Sequence, residues 1–278
     1  MVATPIGHRD DISARAVALL SHVDVVAAED TRHTGRLLSM LGLAVAQVSL
    51  HEHNERDRVP VLVERLKQGE AIALVSDAGT PGISDPGYPL VAAAHAAGIR
   101  VVPVPGPTAM VAALSASGQP TDRFVFEGFL PARAGTRQER LRNLATEPRT
   151  LVFYESGHRV VAALADLAQA FGDDRPATLA RELTKVHETI RCTTLGALAQ
   201  CVADDADQRR GEIVLVVAGA PESATVASEE RLREVLDALL PELAPSRAAA
   251  VAARLTGTSR RAAYRAALDR AERDDPEA

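Results

Sequence analysis

The stretch SDAGTPGISDPG, at residues 76–87, combines residue types that let a protein backbone approach a ligand closely. It follows the apolar run EAIALV and precedes YPLVAAAHAAG, in which apolar residues recur at the spacing of a helix. In an open parallel sheet, a glycine-rich loop after a strand is a common ligand-binding position. The loop lacks the G-x-G-x-x-G spacing of dinucleotide-binding loops and the lysine of Walker phosphate loops. It is therefore a candidate ligand loop of another kind, with an ordinary connecting turn as the alternative.

Polar clusters follow the other predicted strands as well. Because the carboxyl ends of parallel strands meet at one edge of a sheet, these clusters are expected to converge on one cleft. Taken singly, each has a structural explanation, such as helix capping by Asp11 or Ser13, or a solvated pair at Glu182 and Lys185. The clusters are TPIGHRDDIS, AEDTRHT, HEHNE, PGPTA, YESGHR and ARELTK.

A metal-dependent hydrolase is one interpretation of the histidines in these clusters. His51 and His53 are expected to point the same way from an extended segment, with Asp30 and His33 nearby. Their spacing matches no helical zinc motif, however, and no carboxylate-histidine set is complete. The G-x-S-x-G nucleophile elbow is also absent from the sequence. The chemistry is therefore expected to need no metal.

The elements that position these clusters follow a βαβ rhythm, which predicts an α/β fold with a parallel sheet. Strands are predicted first at VATPI, VDVVAAE, AIALVS and RVVPVPG, and then at RFVFEGF, RTLVFYE, PATLARE and GEIVLVVAG. Three helical patterns close the chain, with Gly257 ending one helix and Ser259 capping the next. We predict an N-terminal α/β domain over 1–118, a second α/β domain over 119–220, and a helical, helix-turn-helix-like module over 221–278.

Composition excludes several classes. The 278 residues are 46% hydrophobic, which suffices for a core, and the net charge of −6 does not indicate a general nucleic-acid binder. No apolar run reaches the roughly 18 residues of a membrane span, and no secretory leader is evident, so a cytoplasmic protein without membrane contact is expected. Cys192 and Cys201 are too few for a disulfide framework and are expected in the core.

Eight motifs, in order along nearly the whole chain, resemble the ribosomal small subunit RNA cytidine 2'-O-methyltransferase family called RsmI, in the tetrapyrrole methylase superfamily. The C-terminal AAAVAARLTGTSRRAAYRAAL also resembles the helix-turn-helix tail of that family. The motifs are VATPIGHRDDIS, AAEDTRHT, HEHNE, LVSDAGTPGISDPGYPLV, VVPVPGPTA, LSASGQPTDRFVFEGFLP, EPRTLVFYESGHR and ARELTKVHE.

The resemblance implies two α/β domains with S-adenosylmethionine in the cleft between them, a homodimer, and the small ribosomal subunit as partner. It also implies that the glycine-rich loop and PGPTA hold the cofactor largely through backbone groups. The chain departs from the family at His8, where the family has Asn, and at Gly157, which is expected to affect only a turn. The implied cofactor contacts are Asp77, Gly79, Thr80, Ile83, Thr108, Ala109, Tyr154 and Glu155.

Transfer of a methyl group to a ribose hydroxyl needs an in-line oxygen nucleophile, exclusion of water and a proton acceptor. The candidate bases are Glu29, Asp30, His51, Glu52 and Glu182. The sequence does not rank them, and we favour Asp30. Because arginine makes bidentate phosphate contacts, the cations of these clusters are expected to hold the RNA backbone or to steady the developing alkoxide. These cations are Arg32, Arg36 and Lys185.

The tail supplies a further expected RNA contact. Residues 245–265 carry five arginines and no acidic residue, and Arg261 and Arg265 should share one helix face. A solvated helix face is the alternative. Two other function classes stay open: a methyltransferase acting on a tetrapyrrole, and a non-catalytic RNA-binding protein with the same fold. Assay of methyl transfer to unmodified small subunits separates them.

Overall fold

The structure, a computed structural model, describes the backbone of residues 1–274 and the side chains of residues 1–221 and 229–270. Its contacts divide the chain into two compact units. Unit 1 contains Met1–Ala116 and Arg181–Thr189, and unit 2 contains Ser117–Ala180 and Ile190–Ala278. The expected α/β class is confirmed.

Unit 1 is built on a three-stranded parallel sheet in the order β2-β1-β3. Its strands are β1 (Val25–Ala28), β2 (Ala46–Ser49) and β3 (Ile72–Val75). Val25 aligns with Ala46 on one side and with Ile72 on the other, so the three strands end at the same edge. The helices are α1 (Ala14–Leu20), α2 (Thr31–Met40), α3 (Glu55–Lys67), α4 (Tyr88–Ala96) and α5 (Ala109–Ala116), with a 3-10 turn at Arg9–Asp11.

All four residues of β1 are buried, which indicates that helices cover both faces of the sheet. Val26 and Ala28 pack with Leu20 of α1, whereas Ala27, on the opposite face, packs with Leu62 of α3. Burial of a leucine side chain contributes roughly 1.5–3 kcal/mol, so this double cover fixes the sheet firmly. The polar loops at its carboxyl edge therefore start from a rigid base.

Two predicted strands of unit 1 are wrong. VATPI and RVVPVPG form only isolated bridges, the first pairing Val2 with Val104. Val2 N donates to Leu74 O at 2.9 Å, so the segment lies against β3 but does not continue as a strand. Pro5 and Pro103 lack the N–H group that a longer ladder needs.

Unit 2 carries a five-stranded sheet in the order β4-β5-β8-β6-β7. β4 is parallel to β5, and β5 is antiparallel to β8. The four strands predicted here are confirmed, but β7 was not predicted. The strands are β4 (Phe124–Phe129), β5 (Thr150–Ser156), β6 (Pro176–Arg181), β7 (Thr189–Thr194) and β8 (Glu212–Val217). The helices are α6 (Ala134–Leu144), α7 (Val160–Phe171) and α8 (Leu195–Asp204), with a 3-10 turn at Ala206–Arg209.

Three helices follow: α9 (Glu222–Leu239), α10 (Pro245–Thr256) and α11 (Arg260–Asp274). The predicted turn is confirmed: Gly257 ends α10 with a φ of 71°, and the Ser259 hydroxyl accepts a hydrogen bond from Ala262 N at 3.1 Å. The helices share a small core in which Leu236 is surrounded by alanines such as Ala252. Alanines at such contacts let helices approach closely.

The expected burial of both cysteines is wrong for Cys192, which is exposed, whereas Cys201 is partly buried. Cys192 lies on β7, the last strand in the sheet order, where residues 190–193 are all exposed. Among the described helices, none has the length and apolar character that crossing a membrane requires.

Candidate active site

The loops after β1 and β3 are joined by two hydrogen bonds. Asp30 N donates to Oδ1 of Asp77 at 3.0 Å, and Asp77 N donates to Oε2 of Glu29 at 3.4 Å. β1 and β3 are neighbours that end in register. The two polar clusters that follow them therefore lie together, as expected for loops at the carboxyl ends of parallel strands.

Three carboxylates share this edge of unit 1. Burial raises the pKa of Glu29, and the negative charges of Asp77 and Asp30 raise it further, while a backbone hydrogen bond from Asp77 and the nearby His51 lower it. Burial also raises the pKa of Asp85 to about 6, with a further contribution from the charges of Glu29 and Asp77. The sequence reasoning missed Asp85, because an aspartate in a glycine-rich loop has the same pattern as an ordinary turn residue.

Asp30 has a different environment. It caps α2 by accepting from Arg32 N at 2.8 Å, and the Arg32 guanidinium donates to both of its carboxylate oxygens, at 3.2 and 2.8 Å. These bonds from Arg32 hold the pKa of Asp30 well below its usual range. The base favoured from the sequence is thus a weaker proton acceptor than Glu29. Arg36, one turn along α2, is exposed and forms no ion pair with any side chain of the described part of the chain.

His51 does not lie on a strand as expected. β2 ends at Ser49, and residues 52–54 form the turn that leads into α3. The Asn54 amide lies 3.2 Å from Nε2 of His51, and its oxygen accepts from His51 N at 2.9 Å. Nδ1 of His51 is buried without a hydrogen-bond partner in the residues that the structure describes. If Nε2 accepts from Asn54, the neutral ring carries its proton on Nδ1 and acts as a donor rather than a base.

The remaining histidine and carboxylate candidates lie farther out. The His51 and His53 rings are 6.0 Å apart, and Glu52 is exposed. Within residues 1–221 and 229–270, no group of three or more His, Cys, Asp or Glu side chains is arranged to hold a metal ion.

The glycine-rich loop forms a cradle with two neighbouring segments. Gly79 and Thr4 exchange two backbone hydrogen bonds, at 2.9 and 3.0 Å, and the Thr80 hydroxyl donates to Pro107 O at 3.0 Å. Gly79 has a φ of 85°, and a Cβ built there would lie 3.4 Å from the Ile6 side chain. Gly79 is buried, and its positive φ would strain any residue with a side chain at this position.

Thr108 supplies an unused polar group in this cradle. Its hydroxyl is buried and has no hydrogen-bond partner among residues 1–221 and 229–270. A buried hydroxyl without a partner carries a free-energy cost that a bound ligand would relieve. Of the expected cofactor contacts, the structure brings Gly79, Thr80 and Thr108 together, with Ile83 and Ala109 adjacent in the chain.

Lys185 reaches unit 1 through the segment Arg181–Thr189. His8 N donates to Oγ1 of Thr184 at 2.9 Å, and a Cβ on Gly7 would lie 2.6 Å from the Lys185 side chain. Glu182 and Thr184 have φ values of 51° and 64°, which are strained for residues with a side chain. Lys185 Nζ lies 2.7 Å from the Glu182 carboxylate, so the loop holds an ion pair against the TPIG segment.

Tyr154 and Glu155 lie in unit 2, and as consecutive residues of β5 they project to opposite faces of the sheet. Tyr154 packs edge-on against Phe126 and Phe129, with ring centroids 4.8 and 5.7 Å apart. Glu155 is 2% exposed and lies 3.2 Å from Nε of Arg159. The two residues therefore cannot present their side chains to one ligand from the same face.

Gly157 has a packing role beyond its turn. A Cβ there would lie 2.3 Å from Arg209 O, so only glycine fits.

Comparison with known proteins agrees with this geometry. Residues 1–199 match the family model of tetrapyrrole (corrin/porphyrin) methylases, and residues 226–271 match the model of the RsmI C-terminal HTH domain. The fold resembles that of uroporphyrin-III C-methyltransferase from Thermus thermophilus, solved with S-adenosylhomocysteine, with a TM-score of 0.53, 21% identity, and 81% of this chain and 97% of that one covered.

Two curated relatives are more similar. The ribosomal RNA small subunit methyltransferase I of Pseudomonas aeruginosa is 54% identical over 97% of this chain and 96% of its own length. The protein of that name from Escherichia coli O157:H7 is 48% identical over 97% of this chain and 94% of its own. The chain thus belongs to the tetrapyrrole methylase family and, within it, to the ribosomal RNA small subunit methyltransferase I family.

Proposed function

We propose that this protein transfers a methyl group from S-adenosylmethionine to the ribose 2'-hydroxyl of a cytidine in small-subunit ribosomal RNA. The identity with curated ribosomal RNA small subunit methyltransferases I over almost the full length carries the proposal. We further propose that it acts in the cytoplasm as a homodimer on the small ribosomal subunit.

The cradle of unit 1 fits the cofactor. S-adenosylmethionine supplies an electrophilic methyl group on a positively charged sulfonium. The Thr108 hydroxyl offers a buried hydrogen-bonding group without a partner in the described part of the chain, and Gly79, with a φ of 85°, shapes the loop beside it. The carboxylates of Glu29, Asp77 and Asp85 give this edge a negative potential that suits a cation. The proposed contacts are Asp77, Gly79, Thr80, Ile83, Thr108 and Ala109, with Tyr154 or Glu155 from unit 2.

Glu29 is proposed as the general base in place of Asp30. When bound, S-adenosylmethionine would supply the methyl group to the ribose oxygen and keep the electron pair of the carbon–sulfur bond on its sulfur. Glu29 would accept the proton of the ribose hydroxyl. A carboxylate with a raised pKa accepts a proton more readily than one held by an arginine, as Asp30 is by Arg32. His51 would donate from Nδ1, and Lys185 would steady negative charge on the ribose or phosphate.

RNA contacts are proposed for the exposed cations. Arg36 carries a guanidinium without an ion pair in the described part of the chain, whereas Arg32 would have to share its charge with Asp30. In the tail, Arg261 and Arg265 are exposed on α11. Phosphate contacts of this kind position the RNA without reading its sequence.

Labelled S-adenosylmethionine and unmodified small ribosomal subunits test the proposal. The wild type should label the RNA, Glu29→Gln should lose roughly 10²–10⁴-fold in the rate of a single turnover, and Asp30→Asn should lose much less. Glu64→Gln, at an exposed pair with Lys67 on α3, is the matched control. The absence of labelled ribose in wild-type reactions would refute the function, whereas equal losses in Glu29→Gln and Asp30→Asn would refute only the choice of base.

A further inference from the structure

A shallow groove lies between α10 and α11, in the helical part of unit 2. It is lined by Ser246 and Ala249 from α10 and by Arg260, Arg261 and Tyr264 from α11, and its volume is about 400 Å³. Tyr264 is 42% exposed although it is aromatic, and it is one of only three tyrosines in a chain without tryptophan. The groove thus combines an accessible ring with two guanidinium groups.

The charges around the groove are unbalanced. Residues 245–268 contain no acidic residue, although the net charge of the chain is −6. Arg260 and Arg261 are exposed, and neither forms an ion pair with a side chain in residues 1–221 or 229–270. Cations that no local carboxylate neutralises favour an anionic partner.

The next turn of α11 differs from the groove. Arg265 lines a separate depression that also holds Arg233, Arg270 and the carboxylates of Glu229 and Asp269, with Arg233 paired to Glu229. Arg261 and Arg265 are exposed one turn apart, as expected, but they belong to different electrostatic surroundings. The groove at the Arg260–Arg261 end of the helix thus differs from this depression in having arginines and no acidic residue in its lining.

We infer that this groove binds an unpaired RNA nucleotide, with its base stacked on Tyr264 and its adjoining phosphates paired with Arg260 and Arg261. The inference rests on the proposed function and names the feature of the RNA that the tail recognises. An aromatic ring beside arginines is the combination by which proteins hold single-stranded nucleic acid. In a duplex the base faces are covered by their neighbours, so an exposed ring selects an unpaired base. Ala249 leaves the floor of the groove open for the base.

Fluorescence anisotropy with a labelled ten-nucleotide oligocytidylate tests the inference on the full-length protein. Tyr264→Leu should weaken binding about tenfold because stacking is lost, while Tyr264→Phe should bind like the wild type. Tyrosine emission, unobscured by tryptophan, should be quenched by the oligonucleotide in the wild type and not in Tyr264→Leu. A perfectly paired duplex of equal length should bind more weakly and be insensitive to Tyr264→Leu.

A salt series tests the phosphate contacts. Arg260→Ala combined with Arg261→Ala should lower the slope of log affinity against log salt by about 1.4, since each phosphate contact on a single strand contributes roughly 0.7. Arg247→Ala combined with Arg254→Ala, at two exposed arginines of α10 outside the groove, is the charge-matched control and should leave the slope close to that of the wild type.

Two results would overturn the inference. One is oligonucleotide binding by Tyr264→Leu with wild-type affinity. The other is a double variant Arg260→Ala and Arg261→Ala that binds intact subunits more weakly but binds the oligonucleotide like the wild type, which would assign the groove to a protein partner. Affinity for S-adenosylmethionine, measured by calorimetry, should be unchanged in all groove variants. If the wild type methylates no subunit RNA while Tyr264→Leu still loses oligonucleotide binding, the proposed function is refuted and nucleotide binding in the groove is supported.

Discussion

Replacing Thr108 with valine should move two measured quantities in opposite directions. The valine side chain has nearly the shape of threonine but lacks the hydroxyl, which is buried without a partner in the part of the chain that the structure describes. In the free protein, burial of this hydroxyl without a hydrogen bond lowers the free energy of unfolding, so its removal should stabilise the fold. In the cofactor complex it would supply a hydrogen bond, so its removal should weaken binding.

The magnitudes follow from the burial of the hydroxyl. An unsatisfied buried polar group costs about 1–3 kcal/mol, so Thr108→Val should gain about 1 kcal/mol in stability. A gain of that size raises the unfolding midpoint by roughly 2–4 °C in a protein of this size. Because the hydroxyl is buried from solvent, the lost bond should lie near the upper end of the usual range, about 1.4 kcal/mol, or tenfold in Kd.

Calorimetric titration with S-adenosylmethionine measures the affinity, and thermal unfolding without ligand measures the stability. Thr80→Val is the matched control, because the Thr80 hydroxyl already donates to Pro107 O at 3.0 Å. This variant should lose about 1 kcal/mol of stability. A Thr108→Val protein with unchanged Kd, or with lower stability than the wild type, would show that the hydroxyl does not face the cofactor.

Three further results are expected. The pKa of Asp85 is raised to about 6 from 3.8, so ionisation of this carboxyl opposes folding. Asp85→Asn should therefore have a higher free energy of unfolding than the wild type above pH 7. Urea unfolding should show this difference vanishing as the pH falls below about 4. If Glu29 is the base, the rate of methyl transfer should fall as the pH drops through its raised pKa, and Asp77→Asn should shift this acid limb to lower pH because the negative charge of Asp77 contributes to raising that pKa. Ser259→Ala should destabilise α11 by about 1 kcal/mol through loss of its N-cap, seen as faster hydrogen exchange there and not in β1.

Strands were predictable from sequence where burial is continuous. VDVVAAE and AIALVS contain β1 and β3, whose residues are almost all buried, so their composition carries the signal. β7 escaped prediction because TIRCTT is mostly exposed and lacks an apolar face. VATPI and RVVPVPG have the composition of strands, but proline limits their pairing to single bridges.

The candidate site was likewise predictable in part. Strand order brings the loops of Glu29 and Asp77 together, and this follows from the alternation of strands and helices. Which carboxylate is the better base depends on the hydrogen bonds from Arg32 to Asp30 and on the burial of Glu29, and neither can be deduced from residue type. The approach of Lys185 to Gly7 joins segments far apart in sequence and likewise could not be predicted from it.

The return of Arg181–Thr189 to unit 1 has a consequence for biosynthesis. Gly7 and His8 pack against a loop that is translated about 70 residues after the rest of the unit, which ends at Ala116. At roughly 5–20 residues per second, about 4–15 seconds pass between synthesis of Ala116 and synthesis of this loop, so the first part of the unit is complete before the packing partner of its N-terminal segment exists. A nascent chain arrested before Arg181 should therefore expose the TPIG segment to protease, and expression of residues 1–116 alone should yield a fragment that the added peptide 181–189 can complete.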